Sequence, residues 1–159
     1  MVKIDNILKN FTYQSYMKDI EDSEVSRRFC LHGINHSLDV ARISYIINLE
    51  EGLGYEKDLV YAMALLHDIG RSVEYKEGIP HHEVGVGIAR QILEEAGFCQ
   101  EDVALITDAI AHHKQLNGAK KDLRYILFKA DKLSRNCFDC KVYDECYWKE
   151  DLKNKTITY

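Results

Sequence analysis

Helix-breaking residues and secretion or membrane signals are scarce in this sequence. It has one proline, Pro80, among 159 residues, and so little punctuation suits long helices joined by short connections. Cysteines number five, an odd count that fits free thiols or metal ligands better than a disulfide framework. No apolar run approaches the roughly 18 residues that a membrane span requires. The opening Met1-Val2-Lys3-Ile4-Asp5-Asn6 lacks the apolar core of a secretion signal. A reducing cytoplasm is therefore the expected compartment, with no membrane partner. Positive charge is also short: 21 Lys and Arg face 26 Asp and Glu, a net charge of -5. That argues against general nucleic-acid binding, because no basic excess is present to neutralise phosphates. Strand-like alternation, internal repeats and low-complexity linkers are all missing.

What is present is helical patterning. Hydrophobic residues make up 46% and charged residues 30%, ordinary for a globular chain long enough to bury one core. Apolar spacing predicts a first helix over 5–21 and a second over 36–49, stopped by Gly52 and Gly54. A third is expected over 56–68, followed by a polar connection from Arg71 to Pro80. Further helices are expected over 81–95, 100–113 and 120–134, and then a stretch from Asn136 to Trp148 dense in Cys and aromatics. The expected class is all-α, in six or seven helices.

Chemistry concentrates on a few helix-borne residues. The apolar run Ala64-Leu65-Leu66 ends in His67-Asp68, with Ile69-Gly70-Arg71 after it. A His-Asp pair alone usually marks no more than a capped helix end. His36, His81, His112, His113 and Asp131 are also expected at or inside helices, however, and Asp131 sits in the apolar context Ala130-Asp131-Lys132-Leu133. A carboxylate there needs a cation to be tolerable. His36, His67, Asp68 and Asp131 would give a mixed nitrogen and oxygen site with open positions, suited to manganese, iron, zinc or magnesium. Each histidine taken singly reads as a hydrogen-bonded, partly buried side chain; the set together reads as a metal centre.

The order His36, His67-Asp68, then Asp131 before Lys-Leu resembles the HD superfamily of metal-dependent phosphohydrolases, over about Cys30 to Ser134. The resemblance implies an all-α bundle, a metal held by those four residues, and hydrolysis of phosphate esters, commonly in nucleotides. It divides the single domain into an N-terminal helical extension (1–29), a catalytic core (30–134) and a Cys-rich segment (135–159). His-Asp-Ile-Gly-Arg is similar to the His-Asp-x-Gly-Lys form, in which the basic residue contacts phosphate; Arg71 would take that role. Such members carry two further histidines. His81 resembles the first, and His113, or its neighbour His112, the second, which makes a second metal plausible. Asp68 would then both ligate and orient the attacking water, whose pKa a metal lowers. No Gly-Tyr-Pro follows His112-His113, where the sequence reads Lys114-Gln115-Leu116-Asn117-Gly118, which counts against the branch that degrades cyclic diguanylate. The Glu-Asp of alarmone hydrolases and the nearby Glu of deoxynucleotide 5′-phosphatases are also missing, so the substrate stays open.

The tail adds Cys137-x-x-Cys140 and Cys146, three thiols able to chelate zinc or an iron–sulfur corner. Cys30 precedes His36 by six residues and Cys137 follows Asp131 by six. If the helices bearing His36 and Asp131 run antiparallel past a shared metal, all four cysteines reach one end. The plainer reading is reduced cysteines packed beside Tyr143, Tyr147 and Trp148. Cys99 reads as structural, and His32, four residues before His36, as either a supporting group or surface.

The leading expectation is a phosphohydrolase acting on a small phosphorylated substrate, a nucleotide foremost. A phosphodiesterase or pyrophosphohydrolase differs only in the bond cut, and a non-catalytic nucleotide, metal or redox sensor is the alternative from another class. A homodimer is compatible with all three.

Overall fold

A computed structural model describes residues 1–114 and 120–159. The Gln115–Gly118 stretch that stands in place of a Gly-Tyr-Pro lies outside the described residues. Those that are described form eight α-helices: α1 (Val2–Lys9), α2 (Phe11–Ser23), α3 (Ile34–Glu50), α4 (Lys57–Leu66), α5 (Arg71–Glu77), α6 (His81–Glu95), α7 (Gln100–His112) and α8 (Leu123–Leu133). Two 3-10 turns follow, Cys137–Asp139 and Tyr143–Glu145. The all-α class holds. Among the described residues no helix is long and apolar enough to cross a membrane.

Helix α4 is the axis. Seven of its ten residues are buried, from Leu59 to Leu66, so it is apolar on all sides as a central helix must be. Helices α3, α7, α8, α6 and α1 pack around it. Their inward faces (Val40, Ile47, Ile92, Ile106, Ile110 and Ile126 among them) join it in one continuous core. This arrangement aims the C-terminal end of α4, and with it His67-Asp68, into the middle of the molecule.

Three segments depart from the periodicity. The helix expected over 5–21 is two helices. Asn10 turns to an extended backbone, and its side-chain oxygen accepts from the Tyr13 amide to cap α2, a role that the short Asn side chain fills well. Phe11, an apolar residue of that stretch, is therefore exposed, while Ile7, Met17 and Ile20 are buried. The connection from Arg71 to Pro80 contains α5. It was not legible because only Ser72 of its seven residues is buried, which leaves no apolar stripe to read. Gly78 ends it in the left-handed conformation, φ +74°. The Cys-rich tail is not an α-helix but two single turns. Helix α8 starts at Leu123, where the Asp122 side chain accepts from the Arg124 and Tyr125 amides.

Candidate metal centre

Five helix ends meet at one point. Helix α3 contributes His36 from its first turn, α4 delivers His67 and Asp68 just past its last residue, and α8 contributes Asp131 near its end. Helix α6 begins with His81 and α7 closes onto His113. His67, Asp68, His81, His113 and Asp131 are all buried, between 0% and 4% exposed.

The ligand atoms fall into two groups that share Asp68. One is His36, His67 and Asp68; the other is Asp68, His81 and His113. Asp68 Oδ2 lies 3.1 Å from His67 Nε2 and 3.7 Å from His36 Nε2. The other oxygen, Oδ1, lies 3.3 Å from His81 Nε2, which in turn is 3.3 Å from His113 Nε2. Asp131 borders the first group, with Oδ1 3.4 Å from His36 Nε2 and 4.0 Å from His67 Nε2. One carboxylate thus offers an oxygen to each group.

The imidazoles are pre-oriented. His67 Nδ1 is 2.7 Å from the Ala64 carbonyl and His113 Nδ1 is 2.7 Å from the Ile110 carbonyl. A carbonyl only accepts, so each Nδ1 carries the proton and the lone pair of each ring, when neutral, sits on Nε2. Against burial, the Asp68 and Asp131 carboxylates hold His67 above its usual range. His81 Nδ1 faces the Glu74 carboxylate at 2.7 Å with the same result. Burial, reinforced by Arg71, pushes His81 down to about 4. Burial and the neighbouring His67 push His113 down to about 3. Both are neutral at pH 7, so two lone pairs face each other across 3.3 Å with no proton between them. Burial alone would raise the two acids, but the cations around them prevail. His67 and Arg71 hold Asp68 well below the usual carboxylate range. His36, 3.4 Å away, together with His67 and Lys132, does the same for Asp131.

This donor set fits a divalent ion. His36 Nε2, His67 Nε2 and both Asp68 oxygens are buried with no hydrogen-bond partner among the described residues. Orphaned acceptors of that kind are costly unless a cation serves them. The mixture of imidazole and carboxylate suits manganese, iron or zinc.

Three placements amend or extend the expectations. His112 does not join the second group: it is exposed, and its Nδ1 donates to the Asp108 carbonyl at 2.8 Å on its own helix. Arg71 lies at the start of α5 beside the site, its Nε 2.8 Å from Asp68 Oδ1 as an ion pair misaligned for a hydrogen bond. Two acids not singled out from the sequence brace the histidines. Glu74 holds His81, and Glu24 holds His32. Glu24 accepts from His32 Nδ1 at 2.5 Å, from the His32 amide at 2.8 Å and from the Tyr75 hydroxyl at 2.5 Å. The buried His32 ring meets His36 edge-on at 5.6 Å, so His32 is a supporting group rather than surface. Its place four residues before His36 was the only hint in the sequence.

His113→Ala is expected to lose metal from the second group and to lower activity by about 10-fold or more, whereas His112→Ala leaves both close to wild type. Metal stoichiometry and turnover of the paired variants distinguish the two; equal losses would mean that His112 reaches the centre.

Beside His36 opens a cavity of about 510 Å³, whose lining includes Arg27, Asn35, Ser134, Arg135 and Asn136. Arg135 also contacts Asp131 Oδ1 at 3.3 Å. The volume is that of a small-molecule site.

Fold and site together define an all-helical protein whose converging helix ends gather a histidine–aspartate set fit to hold a metal. The chain belongs to the HD domain family, whose model matches residues 33–136. It is 39% identical over 159 residues to an uncharacterized protein of Clostridium beijerinckii, with both chains covered in full. It is 34% identical over 101 residues to ribonuclease Y of Thermus thermophilus, covering 64% of this chain but 16% of that protein. The chain therefore spans about a sixth of the length of that relative. Among solved structures it is similar to a predicted HD superfamily hydrolase from an uncultured Thermotogales bacterium. There the TM-score is 0.62 at 25% identity, covering 88% of this chain and 80% of that one.

Proposed function

We propose that this protein is a metal-dependent phosphohydrolase acting on a small phosphate ester, a nucleotide foremost. One observation carries the reading: both oxygens of the buried Asp68 lack hydrogen-bond partners, and each faces its own set of histidines. A carboxylate in that position is built to be shared between two cations.

His36, His67, Asp68 and Asp131 would hold one ion, and Asp68, His81 and His113 a second. A bound ion supplies Lewis acidity at the phosphoryl oxygen and lowers the pKa of water toward neutrality. The residues supply the rest. Asp68 accepts a hydrogen bond from the attacking water and orients it. Glu74 and the Ala64 and Ile110 carbonyls keep the three Nε2 lone pairs aimed inward. Arg71 is poised to offset charge on the phosphoryl oxygens. The cavity beside His36 has room for one small ligand. Arg27 and Arg135 line it, but so do Glu21, Glu24 and Asp39, so its room rather than its charge supports a small-molecule substrate.

The similarity to ribonuclease Y favours a second reading, cleavage of a phosphodiester in RNA, although the net charge of -5 weakens general binding to nucleic acid. A single panel separates them. The full chain with manganese or ferrous iron is incubated with nucleoside mono-, di- and cyclic phosphates, dinucleoside polyphosphates and a short RNA. We expect phosphate release or anhydride cleavage from a small nucleotide. Cleavage of RNA alone selects the second reading. No turnover on any substrate, together with unchanged metal content in His67→Ala, would end the enzyme reading and leave a binding or sensing role.

A further inference from the structure

The Cys-rich tail presents a second, separate constellation. Residues 135–159 contain no α-helix, and not one of them is buried. A segment of that length cannot hold its shape by hydrophobic burial, and proteins in this position use disulfides or metals instead. No disulfide is present, because Cys30, Cys137, Cys140 and Cys146 are all free.

Those four cysteines nevertheless converge. All line one cavity of about 190 Å³, together with Arg135 and Lys153. Cys30 reaches it from the segment before α3 and the other three from the tail. The two 3-10 turns place the tail thiols. Cys140 closes the first turn, its amide donating to the Cys137 carbonyl, and Cys146 closes the second, its amide donating to the Tyr143 carbonyl. Each then continues in extended backbone. The equivalent position of Cys140 and Cys146 after matching turns is what a repeated ligand loop requires. Asn154 ties the segment to the end of α8 through the Lys132 and Arg135 carbonyls, both at 2.8 Å.

We propose that this cavity holds a [4Fe–4S] cluster ligated by Cys30, Cys137, Cys140 and Cys146. Two observations favour a cluster over a single zinc ion. Four thiolates on one zinc, with bonds of about 2.3 Å, sit about 4 Å from one another. Among the described residues, however, no three of these sulfurs come within 4.8 Å of one another. A cubane spreads its thiolates more widely, because each bonds a different iron. The cavity they line, about 190 Å³, also far exceeds the roughly 30 Å³ share of a single water, which is more room than one bare ion needs. Each thiol gives up its proton on ligation, leaving an anionic cluster. Arg135 and Lys153, with side chains 10% and 7% exposed, are the largely enclosed cations that offset it. Arg135 reaches the histidine–aspartate centre as well, through Asp131, so the cluster lies one side chain away from the ligands of the proposed metal site.

The full chain is purified without oxygen from iron-supplied cells, and iron, acid-labile sulfide and zinc are measured per chain. We expect about four sulfides per chain, with the broad visible absorption of sulfur-to-iron charge transfer that bleaches on reduction. Sulfide is the diagnostic quantity, since iron alone could reside in the histidine–aspartate centre. His67→Ala is expected to keep its sulfide, which makes the result independent of the hydrolase reading. Cys140→Ser is expected to lose at least half, whereas Cys99→Ser retains it all. Zinc at one per chain with no sulfide, two sulfides per chain, or no metal beyond that lost in His67→Ala would each overturn the cluster. The wild-type measurement stands even if Cys140→Ser fails to fold.

Discussion

Asp68→Asn is expected to reduce hydrolase activity by about 10³-fold or more while the chain still folds. Residues that only orient metal ligands typically cost 10–100-fold when removed, roughly, and Asp68 is the ligand that both groups share. The substitution preserves shape but removes the charge, and it replaces one acceptor oxygen with a donor. Whichever way the amide turns, its NH₂ faces a histidine Nε2, at the 3.1 Å position of His67 or the 3.3 Å position of His81. It satisfies that lone pair and so competes with a cation. Metal should therefore be lost from both groups rather than one, unlike His113→Ala, which spares the first. Elemental analysis of the two variants beside their turnover is the measurement. An Asp68→Asn protein that keeps one full metal equivalent and a tenth of wild-type activity would refute the shared-ligand arrangement.

Gly70→Ala is expected to be the most destabilising single-methyl addition near the site. A Cβ at this position would stand 2.2 Å from the His81 carbonyl oxygen and 2.8 Å from the Gly85 amide nitrogen. Both are backbone atoms, so no side chain can swing aside. The start of α5 must instead move away from the start of α6. Overpacking of this kind costs about 3 kcal/mol or more, a fall in Tm of about 10 °C for a chain of this size. Because the displaced carbonyl belongs to His81, the second metal group should weaken as well. Gly87, whose added Cβ meets nothing within 4 Å, supplies the control: Gly87→Ala should be neutral or stabilising, since alanine favours helix. A Gly70→Ala protein that melts with wild type would show that the two helix starts have slack between them.

Gly70 also shows where the reach of the sequence ended. From the chain alone the glycine is only a small residue two positions after His67-Asp68, part of the His-Asp-Ile-Gly-Arg motif. Its backbone is in fact ordinary right-handed helix, φ -72°, and the small residue is required by the close approach of α6. Contacts between residues far apart in sequence leave no periodic trace. The same is true of Glu24 and Glu74. Their carboxylates brace His32 and His81 across 8 and 7 residues, but along the chain each looks like a solvated acid.

The all-α class and the candidate ligands were legible in the sequence itself. One proline and recurrent 3.6-residue apolar spacing exclude most alternatives, and His or Asp at the end of an apolar helix is an expensive placement that calls for a reason. The direction of each ring was decided by tertiary structure. Neighbouring residues on a helix point about 100° apart, so His112 and His113 cannot both face inward, and the packing of α7 against α4 and α6 turned His113 in and left His112 in solvent. The tertiary structure likewise brought the start of α3 to the end of α8, and so Cys30 to the tail cysteines. Four thiols spread over more than a hundred residues become one cavity only when those helices pack.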